Sequence, residues 1–243
     1  PDEKSTNRSG VAITEMIYDN YNRLIERKYY DKDLQLMPGQ SFGKAIELFN
    51  YNDNNRLKVL TLLNTDSTFY VSRHYSYDIY GNVLSVENRD ANGNLILAED
   101  RGNSRVPYAK LMYEWDNRGN MLSCSYYDVN NRLTNNDDGF AIERYTYNEY
   151  GQLVLDELFV FNDIRSNSTV LIWHKCIGKY DERGLCTEIS YYDRNNKYVN
   201  VSTSNANGTC KVEWVYDKSG KVIDSKGYIE DNGKAKLQVF ETT

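Results

Sequence analysis

One seven-residue pattern recurs seven times and limits the possible folds more than any other feature of the chain. The copies are YDNYNRL (18–24), YNDNNRL (51–57), YDIYGNV (77–83), WDNRGNM (115–121), YNEYGQL (147–153), YDERGLC (180–186) and YDKSGKV (216–222). Their starts are 26 to 38 residues apart, about 33 on average. A period of this length marks a protein built from one supersecondary unit repeated along the chain. Counting from the first residue as position 0, that position is always aromatic and position +1 is always Asp or Asn. Position +4 is always Gly or Asn, and position +6 is always apolar.

Turn chemistry explains the pattern. Gly and Asn adopt positive φ at the lowest steric cost, so position +4 reads as a left-handed residue closing a hairpin. The side chain at +1 is suited to accept amide hydrogen bonds across the loop, as in an Asx turn. The expected connection is a four-residue loop of type I plus a left-handed residue. The position 0 ring is expected to pack beside the apolar residue at +6. After the turn, positions +7, +9 and +11 lean apolar and alternate with polar residues; in the fourth copy Leu122, Cys124 and Tyr126 alternate with Ser123 and Ser125. This two-residue period fits a strand buried on one face. Position −2 is large in six of the seven copies, the exception being Gly178.

A second turn follows near +12 and +13, in YYDKD (29–33), NRDANGN (88–94), YYDVNNR (126–132), YYDRNNK (191–197) and IEDNGK (229–234). The second copy (Leu63, Asn64) and the fifth, with two extra residues before Phe161 and Asn162, depart from this form. Length varies in the return segments, such as 35–44, 97–108 and 198–209. The expected fold is therefore all-β: about seven tandem β-hairpins forming an elongated, twisted, mostly antiparallel sheet or open shell. Residues 1–10 read as a disordered segment ahead of a single repeat domain over 11–243.

The repeats resemble those of bacterial YD-repeat (RHS-like) proteins, most closely in YDERGLCTEISYYDRNNKYV (180–199) and WDNRGNMLSCSYYDVNNRL (115–133). The likeness covers about 12–240. Larger members build spiralling sheets, some closed into shells that encapsulate toxins, and others mediate surface contacts. The resemblance implies a binding or scaffold module in an extracytoplasmic or cell-surface setting. The longer, uneven period and modest copy number point to an open sheet.

Composition narrows the function classes. The net charge is −6 with no long basic block, which argues against a nucleic-acid partner. No apolar run is long enough to cross a bilayer, so membrane insertion is not expected. Tyr, at 22, outnumbers Phe and Trp together, suggesting thin sheets with half-exposed rings. Cys124, Cys176, Cys186 and Cys210 form no CxxC pair and only His74 and His174 accompany them, so they read as small core residues without a metal site. The stretches 90–94, 135–139 and 230–234 have the flavour of calcium loops but read as turns, because alternating oxygen ligands and a closing Glu are missing.

The carboxylates at +1 and +13, such as Asp19, Asp31, Asp116, Asp128, Asp181 and Asp193, recur in copy after copy. A glycosidase pair would be unique, so repetition indicates turn formation. No catalytic residue and no cofactor is assigned. The best binding candidates are Tyr30, Tyr127, Tyr192 and Tyr228, which share position +12 and would form an aromatic stripe on stacked repeats. The alternative role for these rings is bracing the two turns of each unit. Expected partners are a protein or a carbohydrate. Two other readings are a carbohydrate-active or sugar-binding domain, in which Trp115, Trp173 and Trp214 form a platform, and a structural spacer or shell fragment.

Overall fold

A computed structural model describes residues 10–39, 42–97, 99–100, 104–105, 108–161, 173–201 and 208–238. Among these residues every regular element is a strand. The strands are β1 (Ile13–Tyr18), β2 (Leu24–Tyr30), β3 (Ile46–Tyr51), β4 (Leu57–Leu63), β5 (Phe69–Tyr77), β6 (Val83–Arg89), β7 (Glu99–Asp100), β8 (Ser104–Arg105), β9 (Lys110–Trp115), β10 (Met121–Tyr127), β11 (Ile142–Tyr147), β12 (Leu153–Phe159), β13 (Lys175–Tyr180), β14 (Cys186–Tyr192), β15 (Lys211–Tyr216), β16 (Val222–Asp231) and β17 (Lys234–Leu237). Fifteen of them form one antiparallel sheet in chain order, from which only the small β7–β8 pair stands apart. The chain divides into two compact units, Pro1–Tyr113 with Tyr126–Asn136, and Glu114–Ser125 with Asp137–Thr243.

All seven heptapeptides are hairpin loops with one backbone path. The +4 residue has positive φ in every copy: Asn22 60°, Asn55 59°, Gly81 103°, Gly119 83°, Gly151 79°, Gly184 83° and Gly220 85°. Its amide donates to the +1 carbonyl, as from Asn22 to Asp19 at 3.0 Å, and the +1 amide donates to the +5 carbonyl, as from Asp19 to Arg23 at 2.9 Å. Only three residues lie between +1 and +5, one fewer than the sequence suggested. The connection is a type I turn closed by a left-handed bulge residue. A register shift between positions −1 and 0 accompanies the loop, as at Ile17/Tyr18 and Val215/Tyr216.

The second turn repeats this loop. Asp31, Asp90, Asp128 and Asp193 each accept two loop amides at 2.8 or 2.9 Å. The left-handed position is filled by Leu34, Gly93, Asn131 and Asn196. The second copy, irregular in sequence, makes the same loop over 64–68: the Ser67 amide donates to Asn64 O at 3.0 Å and Ser67 has φ 64°. In the seventh copy the second turn is a two-residue Asn232-Gly233 loop between Asp231 and Lys234, with positive φ at both residues. Residues 1–9, Asn162 and the parts of the return segments at 40–41, 98, 101–103, 106–107 and 202–207 lie outside the described residues.

The sheet is covered on one face over its middle hairpins, while β1 and the first half of β16 are exposed. In the first unit Leu60, Leu62 and Val71 form the core, and Phe42 and Ile96 from return segments pack on it. In the second, Trp173 and Val199 pack on Tyr191 and Val201. The return segments thus supply the second layer that a single sheet needs. The approach is close at Gly39, where an added Cβ would lie 2.1 Å from Tyr29 Cε2.

Successive hairpins are tied together by the position 0 tyrosine. Its hydroxyl donates backwards to the +6 carbonyl of the preceding copy: Tyr51 to Leu24 at 2.8 Å, Tyr77 to Leu57 at 2.7 Å, Tyr180 to Leu153 at 2.9 Å and Tyr216 to Cys186 at 2.6 Å. A half-buried hydrogen bond of this kind contributes about 1 kcal/mol. We therefore expect Tyr180→Phe and Tyr216→Phe each to lower unfolding free energy by about 1 kcal/mol in urea titrations. Tyr150→Phe, at a loop tip 80% exposed, should stay within about 0.5 kcal/mol of the parent.

Candidate binding surface

The loop tips form the first part of the surface. In all seven copies the +1 side chain accepts the +3 and +5 amides at 2.8 to 3.1 Å, through Asp19, Asn52, Asp78, Asp116, Asn148, Asp181 and Asp217. Bonds from the Arg23, Leu185 and Lys197 amides hold the Asp19, Asp181 and Asp193 carboxyls below the usual aspartate range. The recurring acids are thus engaged in shaping loops.

Neighbouring tips are bridged by long polar side chains. Arg23 Nη1 donates to Asn55 Oδ1 at 2.7 Å, Arg56 to Asp78 O at 3.1 Å, Gln152 to Gly184 O at 2.9 Å and Arg183 to Asp217 O at 2.6 Å. Arg23 also stacks on the Tyr51 ring, 4.9 Å from its centroid. The large apolar groups exposed at the tips are Tyr21, Tyr80 and Tyr150, all at position +3 and 72 to 80% exposed, and Ile79 at +2, 86% exposed; Arg23 lies over the Tyr21 ring at 5.1 Å. The recurrence of Tyr at +3 is visible in the sequence, but nothing there marks these rings as exposed. Between the fourth and fifth tips is an open groove of about 360 Å³, lined by Asp116, Arg118, Tyr145, Tyr147 and Glu149 among others.

The four +12 tyrosines occupy equivalent outer-face positions, with Tyr30 and Tyr127 in the first unit and Tyr192 and Tyr228 in the second. Each has a polar partner. Tyr30 donates to Glu15 Oε2 at 3.0 Å and Tyr228 to Glu213 Oε2 at 2.5 Å. Lys110, Lys175 and Lys211 sit over the rings of Tyr127, Tyr192 and Tyr228 at 5.9, 5.2 and 4.3 Å. Tyr192 also stacks on Tyr198 at 4.8 Å, and burial pushes its hydroxyl up to about 12. Position +12 carries Leu63, Arg89 and Phe159 in the other copies, which interrupts the stripe.

The inner face holds polar groups that the alternating pattern did not reveal. In the first unit Glu47, wholly buried, meets Arg27 Nη1 at 3.1 Å and Tyr29 OH at 3.0 Å. In the second, Glu143 and Asp156 face inward with no cation opposite them among the described residues: Glu143 pairs with Cys124, and Asp156 with Tyr145 and Cys176. Asp156 Oδ1 is buried without a hydrogen-bond partner among the described residues. Burial, reinforced by Glu143 and Glu157, pushes Asp156 up to about 7. Burial also raises Glu143, and it lifts the Cys176 thiol to about 12.

The remaining candidates are dispersed. His74 Nε2 lies 3.0 Å from Ser72 Oγ, and burial lowers its basicity, helped by Arg89. His174 takes a ladder position, its amide donating to Tyr192 O at 2.8 Å and its carbonyl accepting from Leu158. All four cysteines are thiols, with Cys124 and Cys210 buried. Trp115 and Trp214 lie on β9 and β15, while Trp173 packs edge-on against Tyr191 at 5.9 Å inside the core. Among the described residues no group of three His, Cys, Asp or Glu is placed to hold a metal ion.

This architecture defines an all-β hairpin-repeat protein with ordered loop tips. No family model and no curated protein matches the chain. Among solved structures it is similar to a crystal structure of TcdB2-TccC3-Cdc42, at 15% identity and TM-score 0.35, over 93% of this chain and 13% of that one. It is also similar to a TcdB2-TccC3 crystal structure at 13% identity and TM-score 0.34, over 93% and 14% of the two chains. A third is a mutant Tc holotoxin pore of Photorhabdus luminescens, at 15% identity and TM-score 0.35, over 96% and 13%. The chain thus spans only 13 to 14% of the length of these structures.

The raised carboxyl of Asp156 sets a pH dependence. A carboxyl whose folded pKa is raised binds its proton more tightly in the folded state, so stability falls as pH rises from the unfolded value through the folded one. For Asp156 that window runs from 3.8 to about 7. The loop aspartates, lowered in the fold, lose their contribution only below that window. Melting temperature should rise as pH is lowered from about 8 to about 5. Asp156→Asn should flatten that slope, and an unchanged slope would contradict the assignment.

Proposed function

We propose that this chain is a non-catalytic binding or scaffold module that presents its loop tips and outer face to a protein or glycan. One observation carries the reading: the Asp or Asn at +1 is engaged by loop amides in every copy, which leaves the exposed Tyr21, Tyr80 and Tyr150, with Ile79 beside them, as the contact groups of the rim. Tyr offers rigid, amphipathic area at low conformational cost, which suits contact surfaces. The likeness of the turn motif to bacterial YD-repeat proteins favours an extracytoplasmic or cell-surface setting.

A second reading, a carbohydrate-active domain, draws on Glu143 and Asp156. Two inward carboxylates with one raised towards neutrality are a familiar acid–base arrangement. Against it, neither carboxylate lines the groove at the fourth and fifth tips. A glycan array run beside a hydrolysis screen on common polysaccharides separates the readings. Glycan binding without turnover is the result expected for a lectin-like module, and Tyr80→Ala and Tyr150→Ala should weaken it. Turnover that disappears in Asp156→Asn would overturn the non-catalytic reading. Silence in both assays would direct the search to a protein partner or a spacer role.

A further inference from the structure

The second unit carries the last four hairpin tips, and the three junctions between them keep one backbone register. Ser123, Cys124 and Ser125 pair with Arg144, Glu143 and Ile142 at the first of these, Leu155, Asp156 and Glu157 with Ile177, Cys176 and Lys175 at the second, and Glu188, Ile189 and Ser190 with Glu213, Val212 and Lys211 at the third. The side chains at the tips are less uniform. Tyr180 and Tyr216 donate to the carbonyls of Leu153 and Cys186, but the Tyr147 hydroxyl bonds neither to Met121 O, the equivalent acceptor, nor to any other described residue. Burial, reinforced by Asp116 and then Asp156, raises the pKa of that hydroxyl.

A second departure falls at the same place. At the other two junctions the +5 side chain fills the space beside the next tip. A Cβ added at the +4 glycine would lie 2.8 Å from Gln152 at Gly184 and 3.6 Å from Leu185 at Gly220, but 4.0 Å from Asn120 at Gly151. Asn120 is short and turns back on its own loop, its Nδ2 donating to Asp116 Oδ2 at 2.8 Å. Arg118 spans the gap in its stead, Nη1 donating to Glu149 O at 2.5 Å. The groove of about 360 Å³ opens where the tyrosine tie and the filling side chain are both missing. The two loops that form it, 115–121 and 147–153, lie wholly within the described residues.

We propose that this groove is a subsite for a neutral saccharide, taking a mono- or disaccharide unit. The proposal rests on the scaffold reading and gives one part of that surface a ligand class. The volume lies at the small end of the range of about 300 to 1,000 Å³ usual for ligand sites. Tyr145, Tyr147 and Leu122 supply apolar surface for the C–H side of a sugar ring. A sugar hydroxyl both accepts and donates, so it can accept from Tyr147 OH and donate to the Asp116 carboxylate beside it. A carboxylate or phosphate ligand has no hydrogen to give Asp116, and the lining sets two carboxylates, Asp116 and Glu149, against the one guanidinium of Arg118. A peptide strand finds no backbone edge here. The +3 and +5 amides of both loops are taken by Asp116 and Asn148, and β10 is already paired with β11.

Titration calorimetry of the full chain tests this with short probes that the groove alone can hold: maltose, cellobiose, lactose and chitobiose, with glucuronate and sialic acid as acidic comparisons. At least one neutral disaccharide should bind with a Kd of about 1 mM or tighter, and the acidic sugars should bind more weakly. Tyr147→Phe should weaken that binding roughly fivefold, the loss of one hydrogen bond. Leu122→Trp, at a position 37% exposed, should fill the groove and abolish it. Tyr80→Ala, in the first unit, should leave disaccharide binding unchanged. Because Tyr147 makes no tie to the preceding copy, Tyr147→Phe should also leave the urea midpoint where it is, whereas Tyr180→Phe lowers it; this separates a lost ligand contact from a weakened fold.

Silence across the neutral panel, tighter binding of the acidic sugars, or disaccharide binding indifferent to Tyr147→Phe and Leu122→Trp would each overturn the proposal. The scaffold reading fails separately. Long glycans weakened by Tyr80→Ala but not by Leu122→Trp would remove the groove and keep that reading, whereas hydrolysis that disappears in Asp156→Asn would remove the reading itself.

Discussion

The interaction on which the structure depends is the pair of amide hydrogen bonds accepted by the side chain at +1. A three-residue loop turns its +3 and +5 amides inward, and without an acceptor they would need solvent. The Asp or Asn oxygen meets both, at distances no longer than 3.1 Å in any of the seven copies. The left-handed +4 residue lets the chain return in register with its own strand. Once the loop is fixed, the position 0 ring and the +6 carbonyl have fixed places, and stacking copies brings the ring of one to the carbonyl of the previous one. Loop geometry, hairpin register and junction register are therefore consequences of one local arrangement.

This explains which parts of the fold were legible in sequence. The heptapeptide encodes its own loop, and local hydrogen bonds set it, so position, aromatic start and left-handed closure could all be read directly. The junction could not. That Tyr51 OH reaches Leu24 O depends on two segments 27 residues apart, and no motif within either one announces it. The second turns show the same limit from the other side: Leu34 and Ser67 occupy left-handed positions that residue type alone would never suggest. Their loops form because the flanking strands demand the path, and the cost of positive φ is met by the ladder around them.

The binding surface was less legible than the fold. The +12 tyrosines were found at equivalent positions, yet Lys and Glu side chains already engage them, a feature set by cross-strand partners at −5 and −3. The inner polar groups were missed because the period-two reading averages over copies. Arg27 and Asp156 both break the apolar pattern at +9, and Glu47 and Glu143 stand at −4. Where a cation and an acid meet, as at Arg27 and Glu47, the break is a buried ion pair. Where Glu143 and Asp156 sit with no cation opposite among the described residues, burial raises both carboxyls. A single repeat scaffold thus carries chemically different inner-face groups on one junction register.

Amide hydrogen exchange resolved at the loops tests the central claim most directly. The account predicts that the +5 amides of all seven loops, from Arg23 to Lys221, exchange slowly as one class despite lying at exposed tips, and that Asp116→Ala releases the Asn120 amide without releasing its counterparts in distant copies. Fast exchange at several of those amides in the parent chain, at rates typical of unstructured peptide, would contradict it.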